Sequence, residues 1–353
     1  PTKAAMVSRS EVNGHFIEFN DMGVSREPIT ARLMWVPTDD HSVKLAWLVY
    51  VIPVTSSDYW MIRVDAGNKR ILGMDNYTVY CNWDAPHTGC DKPHQTQAKT
   101  SNLFQSASTS VKQQNAGSSP FVVNNATYRV VPHPAESPIH TGGTPALVTN
   151  PWNNAPGNAT SLKWHSDGTT DYNYTRGNNV WAKEDRTGNN SASGLPATST
   201  TTADPLSFDF APNFTVAPTQ IAPVTNQQFN ITNLFYWNNI IHDIKYQYGF
   251  DEVAGNFQAN NQGRGGAGND YVLADAQDGG GTNNANFATP SDGGNGRMQM
   301  YLWSGTPQKD GDADNGIISH EFAHGISNRL TGGPSQAGCL QNAEQMGEAW
   351  SDD

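Results

Sequence analysis

The chain has 353 residues, 36% hydrophobic, 10% aromatic and only 15% charged, which leaves enough apolar matter for a core and too many aromatics for a disordered chain. Its 33 acidic and 21 basic residues give a net charge of −12, which sets the surface against phosphate backbones and argues against nucleic acid as a partner. No run of about 18 apolar residues occurs, so no membrane-spanning helix is expected. Asn, Thr, Ser and Gly replace charge on the surface, a composition common among secreted, extracellular proteins.

The opening Pro1-Thr2-Lys3-Ala4 lacks the features of a signal peptide. The closing Trp350-Ser351-Asp352-Asp353 falls inside a helical pattern, so the expectation is a chain cut at both ends. Residues 29–76 read as antiparallel β-structure. Thr30–Val36, Val43–Val51 and Tyr59–Asp65 are strands rich in β-branched and aromatic residues, and Asp65–Lys69 makes a turn before Arg70-Ile71-Leu72. Cys81 and Cys90 bracket a short Pro/Gly-containing loop that suits a disulfide in an oxidising compartment, with two free thiols as the alternative. A zinc site of Cys81, His87, Cys90 and His94 is disfavoured, because the loop has no Cys-x-x-Cys pair. Cys339 has no evident partner.

Residues 82–124 are polar, Gln-, Ser-, Thr- and Asn-rich, with the composition of a linker that processing proteases reach. From 125 to 225 the chain predicts loops and short strands, such as Thr127–Val131. Phe229, Leu234, Phe235, Trp237, Ile240, Ile241 and Ile244 are spaced for a mostly buried helix over 226–249, in which His242 is a hydrogen-bonded structural residue. Tyr271–Ala274 and Arg297–Trp303 read as strands. The whole is of the α+β class.

The chemistry gathers near residue 320. A helix turns once in 3.6 residues, so His320 and His324 share a face and can grip one ion, while Glu321 points elsewhere and reaches a water held by that ion. A catalytic zinc takes three protein ligands and keeps one open position. Glu348, in Met346-Gly347-Glu348-Ala349-Trp350-Ser351-Asp352, supplies the third, and Asp352, one turn later, accepts the spare ring N–H of a ligating histidine. Asp310-Gly-Asp-Ala-Asp314 is acidic enough to hold Ca2+, but a turn before the helix is the plainer reading.

The run His320-Glu-Phe-Ala-His-Gly-Ile-Ser-Asn-Arg-Leu-Thr-Gly-Gly-Pro334, followed by Gly347-Glu-Ala-Trp-Ser-Asp352, resembles the fungalysin family of secreted zinc endopeptidases. Further matches are Trp164-His-Ser-Asp-Gly168, Ala254-Gly-Asn-Phe-Gln258 and Gly281-Thr-Asn-Asn-Ala-Asn-Phe-Ala-Thr-Pro290. The resemblance implies a thermolysin-like zinc peptidase made as a zymogen, with residues 1–81 the C-terminal part of an antiparallel β propeptide, 82–124 the processing linker and 125–353 the N-terminal part of the catalytic domain. It implies zinc on His320, His324 and Glu348, Glu321 as catalytic base, and Asn284 and Ala285 in the edge segment that pairs with an extended peptide substrate. The propeptide would act as intramolecular inhibitor. Asn328 and Arg329 receive no role from sequence. Ala349 stands where the family usually has Gly. Thermolysin-like enzymes stabilise the oxyanion with a Tyr and a second His, and neither occurs between Gly325 and Asp353, so those donors are expected from sequence beyond this chain. Two rivals remain. One is a non-catalytic zinc-binding or adhesion module derived from such a peptidase. The other is an aminopeptidase sharing the first motif.

Overall fold

A computed structural model describes residues 6–9, 16–37, 42–56, 58–80, 123–155, 157–340 and 346–352. The linker expected at 82–124 and the Cys81–Cys90 loop lie outside these residues, apart from the stretch after 122. The described chain forms two compact units, the first of residues up to Thr78 together with Asn189–Ser191 and the second of the other described residues.

In the first unit, β1 (Met6–Arg9), β2 (Phe16–Phe19), β3 (Ile29–Pro37), β4 (Val43–Val51), β5 (Trp60–Asp65) and β6 (Ile71–Asn76) form one antiparallel meander in sequence order. Alternation sorts its faces. Val36, Ala46, Leu48, Met61 and Tyr77 make a small core, whereas Trp35, Val43, Ile71 and Met74 face outward. Asp65 shapes the β5–β6 turn, its Oδ1 accepting the backbone N–H groups of Gly67 at 2.8 Å and Asn68 at 3.1 Å.

The second unit holds two sheets and its helices. Two residues of β7 (Thr78–Tyr80) belong to it. A three-stranded sheet is ordered β11-β8-β9, from β8 (Ala126–Val130), β9 (Ala146–Thr149) and β11 (Leu206–Phe208). The larger sheet runs β10-β12-β14-β13-β7, from β10 (Val180–Glu184), β12 (Val272–Thr282), β13 (Ala285–Ala288) and β14 (Arg297–Trp303), with the two-residue β15 (Lys309–Asp310) also paired to β14. Here β10, β12 and β14 are parallel and β13 is antiparallel to β14.

Strand β12 continues past Ala274, where the apolar sequence signal ends. Asp275 is buried there because Lys183 and Arg297 neutralise it, and Asp278 accepts from Gln299 Nε2 at 2.7 Å. Helix α1 (Asn226–Gln247) lies against β8, β10 and α2 (Asn315–Thr331), and is buried on most of its circumference. Its buried asparagines are bonded. Asn233, for instance, accepts from Val131 N at 2.9 Å and donates to Asp312 O at 2.7 Å and Asn315 Oδ1 at 2.9 Å, which joins α1 to the start of α2. His242 sits in this core between Asp243 and Gln258, each at 3.0 Å. The core packs Phe257, Phe287 and Phe322 beneath α2.

Candidate metal centre

Helix α2 begins where the sequence places an acidic turn. A single 3-10 turn, Gly311–Ala313, leads into Asp314, whose Oδ1 accepts from Gly316 N at 3.1 Å and Ile317 N at 3.4 Å and so caps the helix. Phe322 is buried against Phe257 and Phe287, which fixes the rotation of the helix. With that face inward, His320 and His324 stand one turn apart with ring centroids 4.6 Å from each other and planes at 90°. Glu321 is fully buried beside them.

The short helix α3 (Gly347–Ser351) packs on α2 and, with its C-cap Asp352, delivers three side chains. Glu348 Oε2 lies 3.2 Å from His320 Nε2 and 3.6 Å from His324 Nε2. Asp352 Oδ1 lies 2.7 Å from His320 Nδ1, and Ser351 Oγ lies 3.0 Å from His324 Nδ1. The Ser351 hydroxyl donates its one hydrogen to Gly347 O at 2.7 Å, so it accepts from His324 Nδ1–H. Asp352, a carboxylate, likewise accepts from His320 Nδ1–H. In each case Nε2 is the ring nitrogen turned toward Glu348, so a neutral imidazole held this way offers Nε2 to a metal.

The donor set fits zinc. Tetrahedral zinc with bonds of about 2.1 Å keeps its donors roughly 3.4 Å apart, and the Nε2–Oε2 separations of 3.2 and 3.6 Å bracket that spacing. One atom from each of His320, His324 and Glu348 lies within 4.8 Å of the others. Burial works against a charge on His320, but the Glu348, Glu321 and Asp352 carboxylates outweigh it and raise its pKa. Burial dominates at His324 and lowers its pKa to about 4, against the pull of Glu348.

The structure thus brings together His320, Glu321, His324, Glu348 and Asp352. Asn284 and Ala285 lie elsewhere, at the start of β13, whose antiparallel partner is β14. Ser351 went unread in the sequence, because a serine three residues after a ligand carries no pattern of its own. Asp310 and Asp314 sit in the turn before α2, Asp310 accepting from Asp312 N at 3.0 Å. A second buried acidic group, Asp185, Asp275 and Asp278, already holds Lys183 and Arg297 on Asp275.

A family model of the fungalysin metallopeptidases (M36) matches residues 127–353. The chain is 46% identical over 235 residues to an extracellular metalloproteinase MEP of Fusarium vanettenii, covering 66% of this chain and 35% of that protein. It is 47% identical over 238 residues to extracellular metalloproteinase 2 of Trichophyton tonsurans, and 44% identical over 233 residues to an extracellular metalloproteinase MEP of Pyricularia oryzae, in each case covering 65% of this chain and 35% of the relative. The matched region thus spans about a third of these relatives' length. A match over well more than half of the chain, which includes every residue of the His320–Glu348 centre, places this protein in the fungalysin metallopeptidase family.

Proposed function

We propose that the full-length protein is a secreted zinc endopeptidase of thermolysin-like architecture, made as a proenzyme. The observation that carries this reading is the convergence of two Nε2 atoms and one carboxylate oxygen, with both Nδ1 atoms directed at Asp352 and Ser351. Two imidazole nitrogens and a carboxylate oxygen at this spacing suit a single divalent cation between them.

Zinc held there would supply Lewis acidity, acidifying a water and polarising a carbonyl. The residues of the chain do the rest. Asp352 and Ser351 hold the two imidazoles in the tautomer that presents Nε2 as the ligand atom. Glu321, buried and adjacent to the ligands, takes a proton from the attacking water and returns it to the leaving amine. Strand β13, which begins at Ala285 with Asn284 just before it, would receive the extended peptide by backbone pairing on the side that β7 occupies in this sheet. In this reading the expected pro-region, residues 1–81, inhibits the enzyme until the linker at 82–124 is cut.

Glu321→Gln tests the mechanism, because it preserves shape and removes the base. It should retain zinc and lose casein cleavage by several orders of magnitude. Cleavage at the wild-type rate would rule Glu321 out as base, and zinc-loaded wild-type protein cut within residues 82–124 yet inert toward every peptide would favour the non-catalytic module instead.

A further inference from the structure

We propose that Arg329 is a positioning residue, one that fixes where the substrate-pairing strand β13 stands relative to the His320–His324 turn of α2. This rests on the peptidase reading above.

Arg329 closes the last turn of α2, five residues after His324, and is fully buried. Its guanidinium reaches the chain that leaves β13. Nε donates to Pro290 O at 2.8 Å, and Nη2 donates to Gly294 O at 3.0 Å and Ser291 O at 3.3 Å. Nη1 donates to Gly255 O at 2.8 Å and to Asp270 Oδ2 at 2.9 Å, and the guanidinium stacks 4.5 Å over Phe257. One residue earlier, Asn328 Nδ2 donates to Thr289 Oγ1 at 3.2 Å. One turn earlier, a Cβ on Gly325 would stand 2.8 Å from the ring of Phe287, which is part of β13. The helix is therefore tied to the strand and its exit at three successive levels: Gly325 to Phe287, Asn328 to Thr289, and Arg329 to Pro290.

Stability alone does not account for a charge in this place. Desolvating a guanidinium is costly, and apolar replacements of buried ion pairs often stabilise. What the fork gives is direction. Five N–H groups in one plane address several carbonyls at once, which an ammonium cannot do. An α-helix transmits such an anchor rigidly over one and a half turns to the metal ligands. A peptide paired to β13 then meets the centre at a set distance, and an error near 1 Å costs about a hundredfold in rate. A blocked dipeptide, too short to pair along β13, is insensitive to that distance.

The test uses the full-length protein loaded with zinc and cut within residues 82–124, as wild type, R329K, R329M and N328A. Zinc content, melting temperature, kcat and KM are measured on a long internally quenched peptide and on a blocked dipeptide. The expected result is full zinc content in R329K and R329M, with the preference in kcat for the long peptide reduced about tenfold or more. N328A should shift it in the same direction by less. An unchanged preference, whether both rates fall together or neither falls, overturns the proposal. If the Arg329 variants do not fold, N328A decides in the same way. Wild-type protein that holds zinc and cleaves neither peptide refutes the peptidase reading itself, and this inference with it.

Discussion

The Nδ1 atoms of His320 and His324 each face an acceptor supplied by α3 and its C-cap. Asp352 takes the Nδ1–H of His320, and Ser351 takes that of His324 while giving its own hydrogen to Gly347. Ser351→Ala should therefore weaken zinc about tenfold to a hundredfold, the usual effect of losing such an outer partner. Competition against a chromophoric chelator measures it, and unaltered affinity would show that packing alone orients His324. Asp278 offers a separate prediction. Burial and the charges of Asp275 and Asp185 raise its pKa to about 7, above the ordinary value of 3.8. The folded state thus holds a proton that the unfolded state releases near 3.8, so stability from this group is present at low pH and is lost as pH rises toward 7. Asp278→Asn should flatten the fall in melting temperature between pH 4 and 7. A profile as steep as wild type would assign that loss to other groups.

At the scale of elements, α2 is made by a cap, a buried ring and a close approach. Asp314→Ala should cost about 1 kcal/mol through the lost cap, and Phe322→Ala about 3–5 kcal/mol through the cavity beneath the ligands. Denaturant midpoints measure both, and Phe322→Ala at less than about 1 kcal/mol would mean the helix is held elsewhere. Much of this was legible beforehand. Strands β3 to β6 of the first unit followed from runs of β-branched and aromatic residues bounded by turn formers, and α1 from a 3.6-residue period, whereas β1 and β2 lie outside the stretch those runs marked. The i, i+4 spacings of His320 with His324 and of Glu348 with Asp352 marked two helices with chemistry on one face. Other parts had no signature to read. β12 runs on through Asp275 and Asp278 because partners distant in sequence neutralise them, and no local pattern records that. The parallel pairing of β10, β12 and β14 depends on crossovers, not on the strands' own residues. Arg329 stayed unassigned because most of its acceptors are backbone carbonyls, which look alike in every sequence.

For the whole molecule, a β-rich unit up to Thr78 precedes the unit that bears the fungalysin match. If the first unit restrains the second, cutting the full-length proenzyme within residues 82–124 should raise peptidase activity at least tenfold, read on a quenched peptide before and after cleavage. Equal activity in the uncut protein would remove the inhibitory role and leave the metal centre untouched. The central claim concerns that centre. Anomalous diffraction at the zinc edge from crystals of the zinc-loaded full-length protein addresses it most directly. The account predicts one strong peak bonded to His320 Nε2, His324 Nε2 and Glu348. A zinc-loaded crystal with no peak at those three residues, or with its peak on other side chains, would contradict it.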